Sequence, residues 1–214
     1  VKNGSDKLGA RPFDPSIDAA RAPLYCFRMK IVARILLIVM FVVAAEAGFA
    51  VNVDGKIAQG EYTREASFDG GNYRLLWSIE GDTLFMAIEA KAAGWVAIGF
   101  DPSTVMANCD MVFGIIDSLG KAQAIDAWSK GMFGPHPADT DQGGKSNITA
   151  AAGTRSGGSV IFEFSRKLST GDRFDKVIPK SGNFKVIWAY SGSSQFTAKH
   201  SKAGTGTIQM RAAP

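Results

Sequence analysis

Apolar and polar residues alternate in short runs along most of the chain, and turn residues separate the runs. Tyr73-Arg-Leu-Leu-Trp-Ser-Ile79 is closed by Glu80-Gly81-Asp82, and Thr83 to Glu89 then places Leu84, Met86 and Ile88 on one face. Gly94-Trp-Val-Ala-Ile-Gly-Phe100 follows, with a loop from Asp101 to Asn108 behind it. Cys109 to Ile116 keeps the alternation, so that Cys109, Met111, Phe113 and Ile115 share a face, and Lys121 to Trp128 resumes it after a turn at 117–120. In the second half, Ile148 to Ala152 and Ser159 to Phe164 flank a hairpin signal at Ser156-Gly157-Gly158. Phe184 to Tyr190 and Gly206 to Met210 close the series. A period of two puts alternate side chains on the same side of a strand. Eight or nine such strands, with no helical period of useful length, predict an all-β chain folded as an antiparallel β-sandwich or barrel. Residues 129–146, rich in Gly, Pro and polar side chains and carrying His136, are expected to form a long loop. Loops of that length are often functional.

The first fifty residues break the pattern. From Met29 to Ala50, Lys30 and Arg34 precede an apolar run of 11 residues, Ile35 to Ala45, and Ala45-Glu46-Ala47 offers a small-x-small cleavage site. That is the layout of a secretory signal peptide. The run is shorter than the roughly 20 residues a spanning helix needs, and an uncleaved anchor is the alternative. Residues 1–28, broken by Arg11-Pro12, Asp14-Pro15 and Ala22-Pro23, are expected to be an over-extended start without a fold of their own. The expected organisation is thus 1–28, a signal peptide at 29–50, and one exported domain at 51–214, secreted or periplasmic.

Removing the leader changes the charge argument. The chain carries 24 Lys and Arg against 20 Asp and Glu, but seven of the basic and only four of the acidic residues lie in the first fifty. The remaining 17 and 16 nearly cancel, which gives no support for a nucleic-acid partner or for stable insertion in a membrane. Of the two cysteines only Cys109 lies in the expected domain, so no internal disulfide can form there and the core must hold the fold. Two distant histidines and one cysteine lack zinc-site spacing. The glycine pairs at 70–71, 143–144 and 157–158 read as turns rather than as phosphate loops. There is no Gly-x-Ser-x-Gly elbow, and no Cys-x-x-Cys-His for covalent haem.

Four segments in order resemble the DOMON family of extracytoplasmic, immunoglobulin-like β-sandwiches. They are Gly94-Trp-Val-Ala-Ile-Gly-Phe100; Met106-Ala-Asn-Cys-Asp110; Phe164-Ser-Arg-Lys-Leu168 with Thr170-Gly-Asp172; and Val186-Ile-Trp-Ala-Tyr190 with His200 downstream. One branch of that family binds a single non-covalent haem b through methionine and histidine and passes single electrons. A second is thought to bind sugars or other small ligands without iron. A related haem-binding subunit uses lysine as one ligand. The resemblance to the first branch implies Met106 and His200 as the metal ligands, with Trp95, Phe100 and Phe113 as walls of the haem pocket. It also implies a redox partner, a membrane cytochrome or a secreted oxidoreductase, and an electron-transfer role rather than catalysis on a substrate. Met106 as a core gap-filler and His200 as a surface residue are the plain alternatives. His136 between two prolines is expected near solvent, Met111 in the core, and only one of Lys199 and His200 in the pocket if their segment is extended. A haem-free module stacking sugars on Trp95 or Trp188 is the rival function.

Overall fold

The computed structural model describes residues 50–212, so the expected leader at 1–28 and most of the expected signal peptide lie outside the described residues. Ten strands build two five-stranded antiparallel sheets. The strands are β1 (Arg64–Phe68), β2 (Tyr73–Glu80), β3 (Thr83–Ala90), β4 (Val96–Phe100), β5 (Cys109–Ile116), β6 (Ala122–Ser129), β7 (Ile148–Ser156), β8 (Ser159–Lys167), β9 (Ser181–Tyr190) and β10 (Lys202–Arg211). The first sheet runs β1-β2-β3-β8-β7 and the second β10-β9-β4-β5-β6. The described residues are all-β, an antiparallel sandwich, as the alternation predicts. Among the described residues no helix is long and apolar enough to cross a membrane.

The alternation sets each register. Leu75, Trp77 and Ile79 of β2 face Ile88, Met86 and Leu84 of β3, and β3 pairs Met86 with Phe164 and Ile88 with Phe162 of β8. These side chains meet Val96, Ile98, Phe100, Val112, Val186 and Trp188 of the second sheet in one buried core. Tyr73 is fully buried there, and its hydroxyl donates to the Ala97 carbonyl at 2.9 Å, a direct tie between sheets. Apolar burial of this extent is the main stabilising term.

β1 was not among the strands legible in the sequence. Its run Arg64-Glu-Ala-Ser-Phe68 alternates only between partly buried and exposed positions, as an edge strand does. Its pairing with β2, Arg64 opposite Trp77 through Phe68 opposite Tyr73, supplies the order that its composition lacks.

The segment ahead of β1 is held by carboxylates. Glu163 Oε2 accepts from the backbone N–H groups of Asp54, Gly55 and Lys56 at 3.2, 2.6 and 3.1 Å, while the Tyr62 hydroxyl donates to Oε1 at 2.6 Å. Charge-assisted bonds of this kind are stronger than neutral ones. Gly55 is needed at that point: its φ is +85°, and a Cβ would stand 2.9 Å from the Gly153 nitrogen.

Burial in the second sheet is unusual and decides where a site can form. Every residue of β4 and of β5 is buried, so both faces of these strands are covered. One face meets the first sheet. The other carries a second apolar cluster of Trp95, Ala97, Cys109, Met111, Phe113, Ile115 and Ala127, covered by loops rather than by strands. The two faces meet different limits on added volume. Gly114 lies against Phe162 of the opposite sheet, and a Cβ there would fall 2.2 Å from the ring. Gly114→Ala should therefore destabilise the fold by about 1–3 kcal/mol, the usual range for overpacking, read as a lower urea midpoint with an unchanged slope. An unchanged midpoint would mean the inter-sheet spacing is looser than described.

Candidate functional site

The second apolar cluster forms the floor of a cavity of about 880 Å³ on the outer face of the second sheet. Its volume falls within the roughly 300–1,000 Å³ common for small-ligand and cofactor sites. Trp95, Met111, Phe113, Ile187 and Phe196 line it, and Met106, His136, Lys199 and His200 reach it from three loops. Trp95 and Phe196 each meet the Phe113 ring edge to face, at centroid distances of 5.2 and 5.5 Å, an arrangement aromatic quadrupoles favour.

Met106 is presented by the loop between β4 and β5. Three residues of that loop other than glycine have positive φ: Asp101 at 44°, Val105 at 48° and Asn108 at 52°. For a β-branched residue such as Val105 this conformation is strained, and such strain tends to collect at functional sites. The loop is closed on itself by Ala107 N–H donating to the Thr104 carbonyl at 2.8 Å and Ser103 N–H donating to the Ala107 carbonyl at 2.9 Å.

His200 comes from the connection between β9 and β10. This segment is folded back rather than extended: Ala198 N–H donates to the Gln195 carbonyl at 2.9 Å, and the Ser191 hydroxyl donates to the Lys199 carbonyl at 3.2 Å. Because it is not a strand, Lys199 and His200 do not point to opposite faces, and both line the cavity. The segment is anchored at Gly94-Trp95, where Gly94 N–H donates to the Ser191 carbonyl at 2.9 Å and Trp95 N–H to the Ser193 carbonyl at 3.0 Å. A Cβ at Gly94 would stand 1.9 Å from the Ser193 oxygen, so only glycine permits this approach. The Gly-Trp pair thus has two tasks, admitting the His200 segment and laying an indole on the cavity floor.

The structure brings four of the five sequence-derived site residues to one cavity and places the fifth elsewhere. Met106, His200, Trp95 and Phe113 all line it. Phe100 does not, which corrects its expected place as a pocket wall. It is fully buried in the inter-sheet core, stacked on Phe184 at 6.1 Å. The reason is strand parity: Trp95 and Phe100 are an odd number of residues apart, so their side chains leave the sheet on opposite faces. Met111, expected only as core, is buried yet also part of the cavity wall.

His136 is the residue that sequence reasoning missed. Its loop is folded onto β6 by an isolated bridge between Ala127 and Ala138 and by Trp128 N–H donating to the Pro137 carbonyl at 3.2 Å. This carries His136 to the cavity, where its Nδ1 is buried without a hydrogen-bond partner. Burial first, and the positive charge of His200 second, hold its imidazole below the usual 6.5. No local signal marks this position, since proline neighbours describe the loop's stiffness and not its docking.

The DOMON domain family model matches residues 69–191. The chain belongs to the DOMON domain family. The matched span starts just before β2 and ends just past β9, so it contains the cavity floor and the Met106 loop, while His200 lies beyond it. Among relatives of this DOMON domain, the human "DBH-like monooxygenase protein 1" is 27% identical over 143 residues, covering 66% of this chain and 22% of that protein. "MOXD1 homolog 1" of Drosophila melanogaster is 27% identical over 146 residues, covering 66% of this chain and 20% of that protein. The chain thus spans about a fifth of the length of these relatives. Of solved structures, the cytochrome domain of Myriococcum thermophilum cellobiose dehydrogenase aligns with a TM-score of 0.47 at 10% identity, over 70% of this chain and 85% of that one.

The two histidines of this DOMON domain should report on one another. In ligand-free protein His136 should titrate below 6.5 by histidine NMR. With its folded value depressed, its neutral form contributes stability above the unfolded value, and that contribution is lost as pH falls through it. Replacing His200 with alanine should move the His136 titration upward, because the repelling charge is gone. An unmoved titration would show that the rings do not sense each other.

Proposed function

We propose that the cavity holds one non-covalent haem b, with Met106 and His200 as the iron ligands, and that the exported domain passes single electrons. The observation that carries this reading is that Met106 and His200, far apart in the chain, both line a single largely apolar cavity. The donor set fits: a soft sulfur and a neutral ring nitrogen suit low-spin iron, and the pair raises the reduction potential relative to harder ligands. The walls fit as well, since Trp95, Phe113, Ile187 and Phe196 offer apolar surface to a flat macrocycle. When bound, haem would supply one-electron redox chemistry that no side chain of this domain provides.

The remaining work falls to the protein. Met106 and His200 would hold the iron, and two protein ligands on it would favour electron transfer over catalysis on a substrate. With a ring seated on it, the aromatic floor would keep water from one side of the group and lower the local dielectric there. At the rim Val105 and Phe133 are 53% and 73% exposed, an apolar edge against which a redox partner, a membrane cytochrome or a secreted oxidoreductase, would seat. His136 stands beside His200 as a pocket residue and is not assigned to the metal.

The rival reading, a haem-free module for sugars, would use Trp95 or Trp188 as a platform. Against it, Trp95 packs edge to face with Phe113, and Trp188, although it borders the cavity, is buried and stacked on Phe68 at 5.9 Å. A sugar site also needs several polar partners for its hydroxyls, which this wall supplies sparsely.

Oxidised and dithionite-reduced absorption spectra of the protein, exported from cells supplied with haem precursor, test the proposal. A sharp reduced α-band should appear, be lost in Met106→Ala and His200→Ala, and persist in His136→Ala. Folded, colourless protein that also fails to take up added haem would sink it, and a band lost only with His136 would reassign the ligand.

A further inference from the structure

The wall of the cavity is largely apolar, and its charged side chains are few. Among the described residues, Lys199 is the one lysine or arginine that lines it and Asp141 the one carboxylate. They come from different loops, Asp141 from the β6–β7 connection and Lys199 from the β9–β10 connection. Both are exposed, and neither takes part in an ion pair among the described residues. The rim therefore carries one positive and one negative charge, left apart.

The backbone that bears Lys199 is pinned on both sides. Its own carbonyl accepts from the Ser191 hydroxyl, and Ser201 N–H donates to the Tyr190 carbonyl at 2.9 Å. Thr197 of the same connection and Thr205 of β10 also line the wall. Thr205 is shared with a shallow polar groove of about 480 Å³ that Asn183, Lys185 and Thr207 help to form. The cavity thus adjoins hydroxyl and amide groups on the side from which Lys199 comes. Lys185 in that groove already donates to the Pro102 carbonyl at 3.0 Å, which leaves Lys199 as the cation with no partner of its own.

We propose that Lys199, supported by the Thr197 and Thr205 hydroxyls, receives the carboxylate edge of a porphyrin seated in the cavity and so selects the way the ring enters. This rests on the haem reading of the cavity and adds the residue that recognises the acidic edge. A porphyrin such as haem b or metal-free protoporphyrin IX is flat and apolar over most of its area, with its carboxylates on one edge. An ionised carboxylate that loses water needs a cation or hydrogen-bond donors in exchange. The floor of Trp95 and Phe113 offers neither, so the acidic edge must lie at the rim. There Asp141 repels it and Lys199 attracts it. A lysine suits this task because its ammonium rides on a long flexible stem and offers three donors.

Fluorescence titration of the exported protein with metal-free protoporphyrin IX, and with its dimethyl ester, reads this contact without iron. Lys199→Gln should weaken binding of the free acid by about fivefold, the upper range for a partly exposed charge pair, and leave the ester unchanged. Lys199→Glu should weaken the free acid further. Added salt should lower the parent's affinity for the free acid, through screening, and hardly affect Lys199→Gln. In haem-treated Lys199→Gln the reduced α-band should keep its position, because Lys199 holds the carboxylates and not the iron. No binding of protoporphyrin, equal losses for acid and ester, no loss for either, or a shifted band would overturn the assignment. The iron reading fails separately: colourless haem-treated protein whose protoporphyrin binding still depends on Lys199 would sink the ligand pair and leave this contact standing.

Discussion

Arg166 sets a condition that much of this molecule meets. Its guanidinium is wholly buried, and it reaches from β8 in the first sheet to Asp110 on β5 in the second, at 2.7 Å. A charge taken out of water is tolerated only with close partners, and removing one partner of such a pair typically costs about 3–5 kcal/mol. The Phe164-Ser-Arg166 and Met106 to Asp110 segments, which look unrelated in the chain, are therefore two halves of one contact. Once Arg166 is buried, Asp110 must lie opposite it. Asp110 sits at the start of β5, directly after the Met106 loop, so the ion pair also fixes where that loop begins. Burial raises the Asp110 carboxyl to about 6 against the opposing pull of Arg166, which leaves it mostly ionised near neutral pH.

The second dependence is the double burial of β4 and β5. A strand covered on both faces must have two sets of apolar partners, and here the sets differ in kind. The inner face meets a sheet, which is rigid and closely packed. The outer face meets loops, which cover without filling, and the gap they leave is the cavity. Trp95, Met111 and Phe113 are thus at once a floor for the loops and a wall for a ligand. The loops are in turn pinned where they cross: the His200 segment at Gly94 and Trp95, the His136 loop at Ala127 and Trp128.

Strand periodicity was legible, and so was much of the site. Nine of the ten strands stand where alternating runs predict them, because inter-sheet burial demands that alternation. β1 escaped because an edge strand has one partner and weak demands on its side chains. Met106 and His200 could be named from motif order, and parity alone would have excluded Phe100 from the face that bears Trp95. His136 could not be found, since its place depends on a single bridge between Ala127 and Ala138 with no local imprint. Asp126 and Asp139 were equally silent: a carboxylate in a sequence reads as solvated until a fold buries it.

What the sequence determined by itself was therefore everything governed by local periodicity and turn chemistry: an all-β chain, its strand faces, its hairpins, and the apolar character of the strip from Trp95 to Phe113. Only the tertiary structure decided that this strip faces outward beneath loops, that two histidines share one cavity, and that Asp110, Asp126 and Asp175 converge beside Arg166. The physical reason is range. Side-chain alternation is imposed residue by residue along a strand. Burial of charge and the docking of loops depend on contacts between segments tens of residues apart, which exist only once both sheets have closed.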